Sequence, residues 1–263
     1  MKEETETVDQ IQLPPFFYEI FDASLPRLGP GDAASTRRAL KTLLALRPAN
    51  ADAPRILDVG CGNGAPTLQL ARHTNGTVIA VDNHEPFLRE LQRRAAAEGL
   101  SDRIQTRLRD MNTLGADMGH FDIIWSESAL FVMGFREGLA ACYERLVPGG
   151  FLAASEMCWL RADAPANCLD YFAEVYPAIA AIDAHLAAIR SCGYEVVEHF
   201  TLPESAWWDG YYTPLEARLK TLRQKHVGDS EKAEMLDAIQ AEIDLYRTYS
   251  SYYGYAFYLM RRP

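Results

Sequence analysis

Short apolar runs bounded by polar turns recur from about residue 55 onward, and each is followed by a stretch with helical spacing of its apolar residues. The pattern predicts strands at Arg55–Val59, Thr77–Val81, Arg103–Leu108, Phe121–Trp125 and Gly150–Ser155. It predicts helices at Ala65–His73, Pro86–Glu98 and Phe135–Leu146. Apolar strands alternating with amphipathic helices imply a parallel sheet covered on both faces. Ligands of such sheets sit beyond the carboxyl ends of the strands, near the switch in strand order.

The flanking stretches read differently. Residues 1–12 look like a disordered lead, and Pro14 to Phe21 is an aromatic segment. Asp32 can cap a helix over Ala33–Leu46 with Leu40, Leu43 and Leu44 on one face. A helical pattern spans Ala164–Ser191 with a break expected near Pro177, and strands follow at Tyr194–Leu202 and Tyr255–Met260. Between those strands lie an aromatic loop, Trp207 to Tyr212, and helices at Pro214–Lys225 and Ser230–Tyr249. The expected division is an N-terminal lead and cap (1–53), a core (54–202), a helical and aromatic cap insertion (203–251) and a last core strand (252–263). No internal repeat is present.

Composition narrows the function classes. The chain is 48% hydrophobic and 24% charged, as ordinary globular proteins are. Its formal net charge of −10 argues against nucleic-acid binding, which needs a basic footprint. Five cysteines without a CxxC pair suggest neither a disulfide framework nor a zinc site. The polar, acidic first residues are unlike a signal peptide, and no apolar run approaches a membrane span. The expectation is a cytoplasmic protein with no membrane partner, no metal and a small-molecule ligand; oligomeric state is not legible.

Chemistry concentrates at Leu57-Asp58-Val59-Gly60-Cys61-Gly62-Asn63-Gly64. A buried strand runs into a loop almost without side chains, just before a helix. Glycine is needed where backbone takes positive φ or approaches a ligand closely, so an adenosine-bearing ligand can lie on this turn while Asp58 offers a carboxylate to a ligand cation. Asp82 ends the second strand, where a carboxylate can take both ribose hydroxyls; that serves NAD and S-adenosylmethionine (SAM) alike. After the third strand, Asp110 can accept from an adenine amino group and Met111 can cover the ring. Phe121 to Glu127 is a strand reaching a polar edge, and Leu146-Val147-Pro148-Gly149-Gly150 is a helix end and turn into the fifth strand.

In order and spacing, this set resembles the class I SAM-dependent methyltransferases. It is similar in particular to a bacterial and archaeal subgroup of small-molecule type. The resemblance is dense over residues 54–156 and looser to the last two strands. It implies a Rossmann-like α/β fold: a seven-stranded, mostly parallel sheet with an antiparallel last strand, and helical cap elements at the N-terminus and after the sixth strand. It implies that Asp58, Gly60 and Gly62 hold the methionine moiety of SAM, Asp82 with Asn83 the ribose, Asp110 and Met111 the adenine, and that Ser126 lines the methionine side.

Methyl transfer from a sulfonium is an in-line displacement that needs no metal; the enzyme positions the nucleophile, excludes water and removes a proton where required. Glu127 and Glu156, at the ends of the fourth and fifth strands, are the candidate catalytic acids. A capping or loop carboxylate is the competing reading for Glu127, and a salt bridge to the cap for Glu156. Tyr18, Trp208, Tyr211 and Tyr212, with Trp207, are candidates to wall the acceptor pocket; packing between cap and core would explain them as well. The expected activity is O- or N-methylation of a small molecule. A nicotinamide-dependent oxidoreductase and a non-catalytic SAM-binding regulatory module are the alternatives. Base methylation of RNA is disfavoured because Ser126-Glu127-Ser128-Ala129 stands where an Asn/Asp-Pro-Pro-Tyr sequence is expected.

Overall fold

A computed structural model describes residues 13–263, so the predicted lead at 1–12 lies outside it. The chain opens with a short helix α1 (Pro15–Ile20) and the longer α2 (Ala33–Ala45). Asp32 caps α2 as its position predicts, accepting from the Ser35 backbone N–H at 2.7 Å. Ala39, Leu40 and Leu43 form the buried face. The alternating region follows: β1 (Arg55–Val59), α3 (Ala65–His73), β2 (Thr77–Asp82), α4 (Glu85–Ala97), β3 (Ile104–Leu108), β4 (Phe121–Glu127), α5 (Phe135–Arg145) and β5 (Leu146–Trp159). The second half comprises α6 (Ala166–Val175), β6 (Ala180–Ala181), α7 (Ile182–Ser191), β7 (Glu195–Thr201), α8 (Ser205–Trp207), α9 (Thr213–Lys225), α10 (Ser230–Tyr249) and β8 (Tyr253–Arg261).

The strands form one sheet in the order β3-β2-β1-β4-β5-β8-β7, with β6 paired to β5. β1 to β5 are parallel, and β8 runs antiparallel to both β5 and β7. This is the expected Rossmann-like arrangement with one short additional strand. β6 arises because the helical pattern breaks where predicted. Pro177 has no N–H to donate and disfavours helical backbone at Tyr176, so the chain extends and Ala180–Ala181 pairs with Cys158–Trp159. That pairing, together with β8 along its flank, extends β5 well beyond the predicted Ser155.

Both faces of the sheet are covered. Ile56, Trp125, Ala153 and Phe257 belong to one apolar core, and Leu57, Ile124, Leu152 and Tyr258 to the other. Adjacent residues on each strand divide between the two, as the period of two requires.

The predicted aromatic loop is helical. Residues Trp208–Tyr212 form a single π-turn between α8 and α9. This wide turn lets Trp207, stacked on Tyr246 at 4.1 Å, and Tyr212 both pack against α10. Helix α1 also meets the C-terminal part of α9. Glu19 binds Lys225 and His226, the Arg218 Nε donates to the Glu19 carbonyl at 2.6 Å, and Phe16 meets the His226 ring edge-on. Gly31 N–H bonds the Ala206 carbonyl at 2.9 Å, joining the loop before α2 to the start of the aromatic segment.

The cap at Asp32 generates a direct expectation. Asp32→Ala removes the side-chain acceptor of α2 and should lower unfolding free energy by about 1 kcal/mol. The urea midpoint checks this at unchanged m-value, and no shift would mean that the cap is energetically silent.

Candidate functional site

The glycine turn sits at the carboxyl end of β1. Gly60 and Gly62 have φ of +67° and +53°. A Cβ on Gly60 would lie 2.6 Å from the Ala129 Cβ and 2.7 Å from the Met111 Cε, and one on Gly62 would lie 3.1 Å from a Leu28 methyl. Glycine is required at Gly60 by both conformation and contact. The same contact brings Met111, from the loop after β3, against the turn. Asp110 caps the short turn at Met111–Thr113, accepting from the Asn112 N–H at 2.8 Å.

Asp82 joins the turn to the next loop. Its two carboxylate oxygens accept from the Gly62 N–H and the His84 N–H, each at 2.9 Å. Burial raises its pKa, and these backbone bonds, with one from Asn83, oppose the rise. A carboxylate offers about four acceptor positions, so hydroxyl contacts from a ribose still fit. Asp58 is buried and accepts from the Thr67 hydroxyl at 2.6 Å. Burial pushes its pKa up to about 7.

A strap, residues 23–31, lies over this turn. Asn63 Nδ2 donates to the carbonyls of Leu25 (2.6 Å) and Ala23 (3.2 Å), and Arg94 bonds both as well. Between strap and turn lies a cleft of about 420 Å³, part of it open to solvent, whose walls include Arg27, Leu28, Gly60, Gly62, Glu127 and Ser128.

Glu127 lines the cleft as expected, but its charge is committed. Arg27 forms an ion pair with Oε2, while Thr36 Oγ1 (2.6 Å) and Trp125 Nε1 (2.9 Å) donate to Oε1. Both ion-pair side chains are nearly buried, at 10% and 3% exposure. Arg27 and Ser128 are site residues that motif reading missed. Arg27 is 100 positions from its partner, and no local pattern marks it. Ser128 has φ of +54°, a strained conformation for a residue with a side chain. Its hydroxyl bonds the Pro30 carbonyl and its N–H the Ser155 hydroxyl, both at 2.9 Å. Ser126, expected to line the methionine side, is buried by strand alternation, and its hydroxyl goes to the Val59 carbonyl at 3.0 Å.

Glu156 lies one residue beyond Ser155 and is fully buried. Oε1 accepts from the Tyr176 phenol at 3.0 Å and from the Met157 N–H at 3.1 Å. Oε2 has no partner. Burial pushes its pKa up to about 7. The Tyr255 phenol, whose pKa is raised by burial and then by Glu156, bonds the Ser128 side chain and so links this carboxyl to the cleft.

The aromatic candidates separate. Tyr18 stacks on His84, with ring centroids 3.8 Å apart, and its phenol is raised by burial and by the nearby Asp82. It therefore stands on the Asp82 and His84 side of the turn. Trp208 is half-buried under the Arg247 guanidinium. Tyr211 and Tyr212 are buried, and the Tyr212 phenol donates to Glu242 at 2.8 Å. Asn83 is exposed at the mouth of the turn. Among the described residues no group of three or more His, Cys, Asp or Glu could hold a metal, and no helix is long and apolar enough to cross a membrane.

Comparison with known proteins agrees with this geometry. A family model described as a methyltransferase domain matches residues 56–150. Methyltransferase GfsG of Streptomyces halstedii is 29% identical over 195 residues, covering 71% of this chain and 70% of that protein. The 27-O-demethylrifamycin SV methyltransferase of Amycolatopsis mediterranei is 25% identical over 243 residues, 87% of this chain and 84% of its own length. Fungal sterol 24-C-methyltransferases also match, over half of their own length or slightly less. Among solved structures, a SAM-dependent methyltransferase of Geobacter sulfurreducens in complex with S-adenosylhomocysteine superposes with a TM-score of 0.79 at 18% identity, covering 97% of this chain and all of that one.

The two buried acids predict an unusual pH dependence. Their native pKa values, about 7, exceed the ordinary 3.8 and 4.5, so the native state holds protons that the unfolded chain has released. Their contribution to stability is present below about pH 4 and is lost as pH rises through 7. Glu156→Gln should therefore gain stability over wild type on going from pH 5 to pH 8, by on the order of 3 kcal/mol. Urea midpoints at both pH values test this, and a constant difference would show that Glu156 ionises normally.

Proposed function

We propose that this chain, which belongs to the class I SAM-dependent methyltransferases, methylates an oxygen of a small-molecule acceptor with Glu156 as the proton-accepting group. The observation that carries the reading is the Glu156 Oε2, buried and without a hydrogen-bond partner among the described residues, one position along β5 from the Ser155 hydroxyl that accepts from Ser128 of the cleft wall. A buried carboxyl with pKa near neutrality can take a hydroxyl proton at physiological pH. The 27-O-demethylrifamycin SV relative is named for an oxygen acceptor, which favours oxygen over nitrogen here.

The cofactor side fits the residues present. Three features support it: Asp82 keeps acceptor capacity for a ribose hydroxyl, Met111 reaches the glycine turn at Gly60, and a Leu28 side chain from the strap lies over Gly62. Arg27 is the cation on the cleft wall and would meet the methionine carboxylate. When bound, SAM supplies an electrophilic methyl group on a positively charged sulfur.

The protein's own groups do the remaining work. The strap, held by Asn63 and Arg94, excludes water from above the turn. Glu127 is reassigned from base to anchor: its bonds to Arg27, Thr36 and Trp125 tie strap, α2 and β4 together. Tyr176 orients the Glu156 carboxyl through Oε1 and leaves Oε2 to receive the acceptor proton.

Three measurements test this. S-adenosylhomocysteine should raise the melting temperature, and Asp82→Ala should remove most of that rise; stabilisation by NAD instead would overturn the cofactor assignment. Turnover should increase with pH through about 7, because the base must be ionised. Glu156→Gln should lower kcat about 10²-fold and abolish that limb while S-adenosylhomocysteine still binds. Wild-type kcat and pH profile in the variant would refute the base.

A further inference from the structure

Arg27 lies between two glycines from different parts of the chain. A Cβ on Gly31, in the strap, would lie 2.9 Å from Arg27 Cζ and 3.0 Å from Glu127 Oε2. A Cβ on Gly210, in the π-turn between α8 and α9, would lie 3.3 Å from Arg27 Cδ and 3.6 Å from its Cγ. Gly31 thus closes over the guanidinium and Gly210 over the stem. The Gly31 N–H bond to the Ala206 carbonyl ties the two walls together. Gly210 has no positive φ, and it sits in a helical segment, where glycine costs stability relative to alanine. Backbone conformation gives no reason for a glycine there; the approach of Arg27 does. Single π-turns of this kind are frequent at functional sites.

The slot leaves most of the guanidinium free. It has five N–H groups, and among the described residues its one hydrogen bond runs from Nη2 to Glu127. Nε and Nη1 have no partner, yet neither is sealed from solvent. Arg27 is only 9% exposed and lines the cleft beside Gly60 and Gly62, so that opening is the cleft. A guanidinium meets a carboxylate best through two parallel N–H···O bonds, which form only when its plane is correctly turned. Whatever fixes the stem therefore fixes what the fork can hold.

We infer that Gly31 and Gly210 form a slot that turns the Arg27 guanidinium toward the carboxylate of the cofactor, so that the π-turn selects adenosyl ligands that carry this carboxylate over those that lack it. The inference rests on the proposed methyl transfer, and it assigns Gly210 as a positioning residue for the cofactor of that reaction.

The test is calorimetric titration with two probes, S-adenosylhomocysteine and its decarboxylated form, which keeps the amine. The wild type should bind the first about 10-fold tighter or more. Gly210→Ala and Gly31→Ala should each weaken S-adenosylhomocysteine about 5-fold or more and leave the decarboxylated probe unchanged, which also shows that each variant is folded. Arg27→Lys, which keeps the charge and loses the fork, should remove most of the preference. Asp209→Ala, which alters an exposed side chain of the same π-turn, should bind both probes as the wild type does. Equal loss of both probes in the two glycine variants, or loss of neither, overturns the slot. Equal affinity of the wild type for the two probes overturns the role of Arg27 and leaves methyl transfer standing. A wild type that binds neither probe overturns the cofactor reading itself, and the slot falls with it.

Discussion

Four carboxylates stand at the carboxyl edge of one parallel sheet, and the way each is neutralised decides what it can do. Asp58, Asp82, Glu127 and Glu156 come from β1, β2, β4 and β5, and the parallel register aligns those strand ends. Charges taken out of water without compensation are costly. Asp58 is met by the Thr67 hydroxyl and drifts toward its neutral form. Asp82 is met by backbone N–H groups of the turn it helps to shape, which keeps it an acceptor for hydroxyls. Glu127 is met by a guanidinium. Glu156 has a phenol and one N–H on a single oxygen, and nothing on the other.

The Glu127 pair also explains why the N-terminal segment lies where it does. The strap has few apolar anchors of its own, and its carbonyls are held from below by Asn63 and Arg94. Arg27 then pins it to β4, Ser128 binds the Pro30 carbonyl, and the Ala206 carbonyl accepts from Gly31. The strap therefore reads the state of the glycine turn, β4 and the aromatic segment at once. A ligand carboxylate at Arg27 would compete with Glu127 for the same guanidinium.

Much of this was legible in the chain. Strand and helix positions came through because periodicity is local, and the glycine turn and Asp82 are joined in the structure because they end adjacent parallel strands. Failures came where long-range packing decides. Nothing near Arg27 signals a partner 100 positions away. Ser126 and Ser128 differ only in which side of a strand end they fall, and Ser128 enters the cleft through a strained φ that no composition reveals. Trp207–Tyr212 has the residues of an aromatic loop, but burial against α10 winds it into a π-turn. Tyr18 belongs to the aromatic entry segment, and its ring goes to His84 beside Asp82 through packing that its sequence neighbours do not reveal.

The uneven treatment of the four acids bears on the chemistry. A buried polar atom left unsatisfied costs on the order of 1–3 kcal/mol, and here it sits beside three acids that each found partners within the same few strands. Methionine at position 156 would avoid the cost and keep roughly the volume. Perturbed, partly desolvated carboxyls at a cleft are the usual mark of proton-transfer groups. Tyr176 holds one oxygen of the pair, and its ring meets the half-exposed Phe131 edge-on.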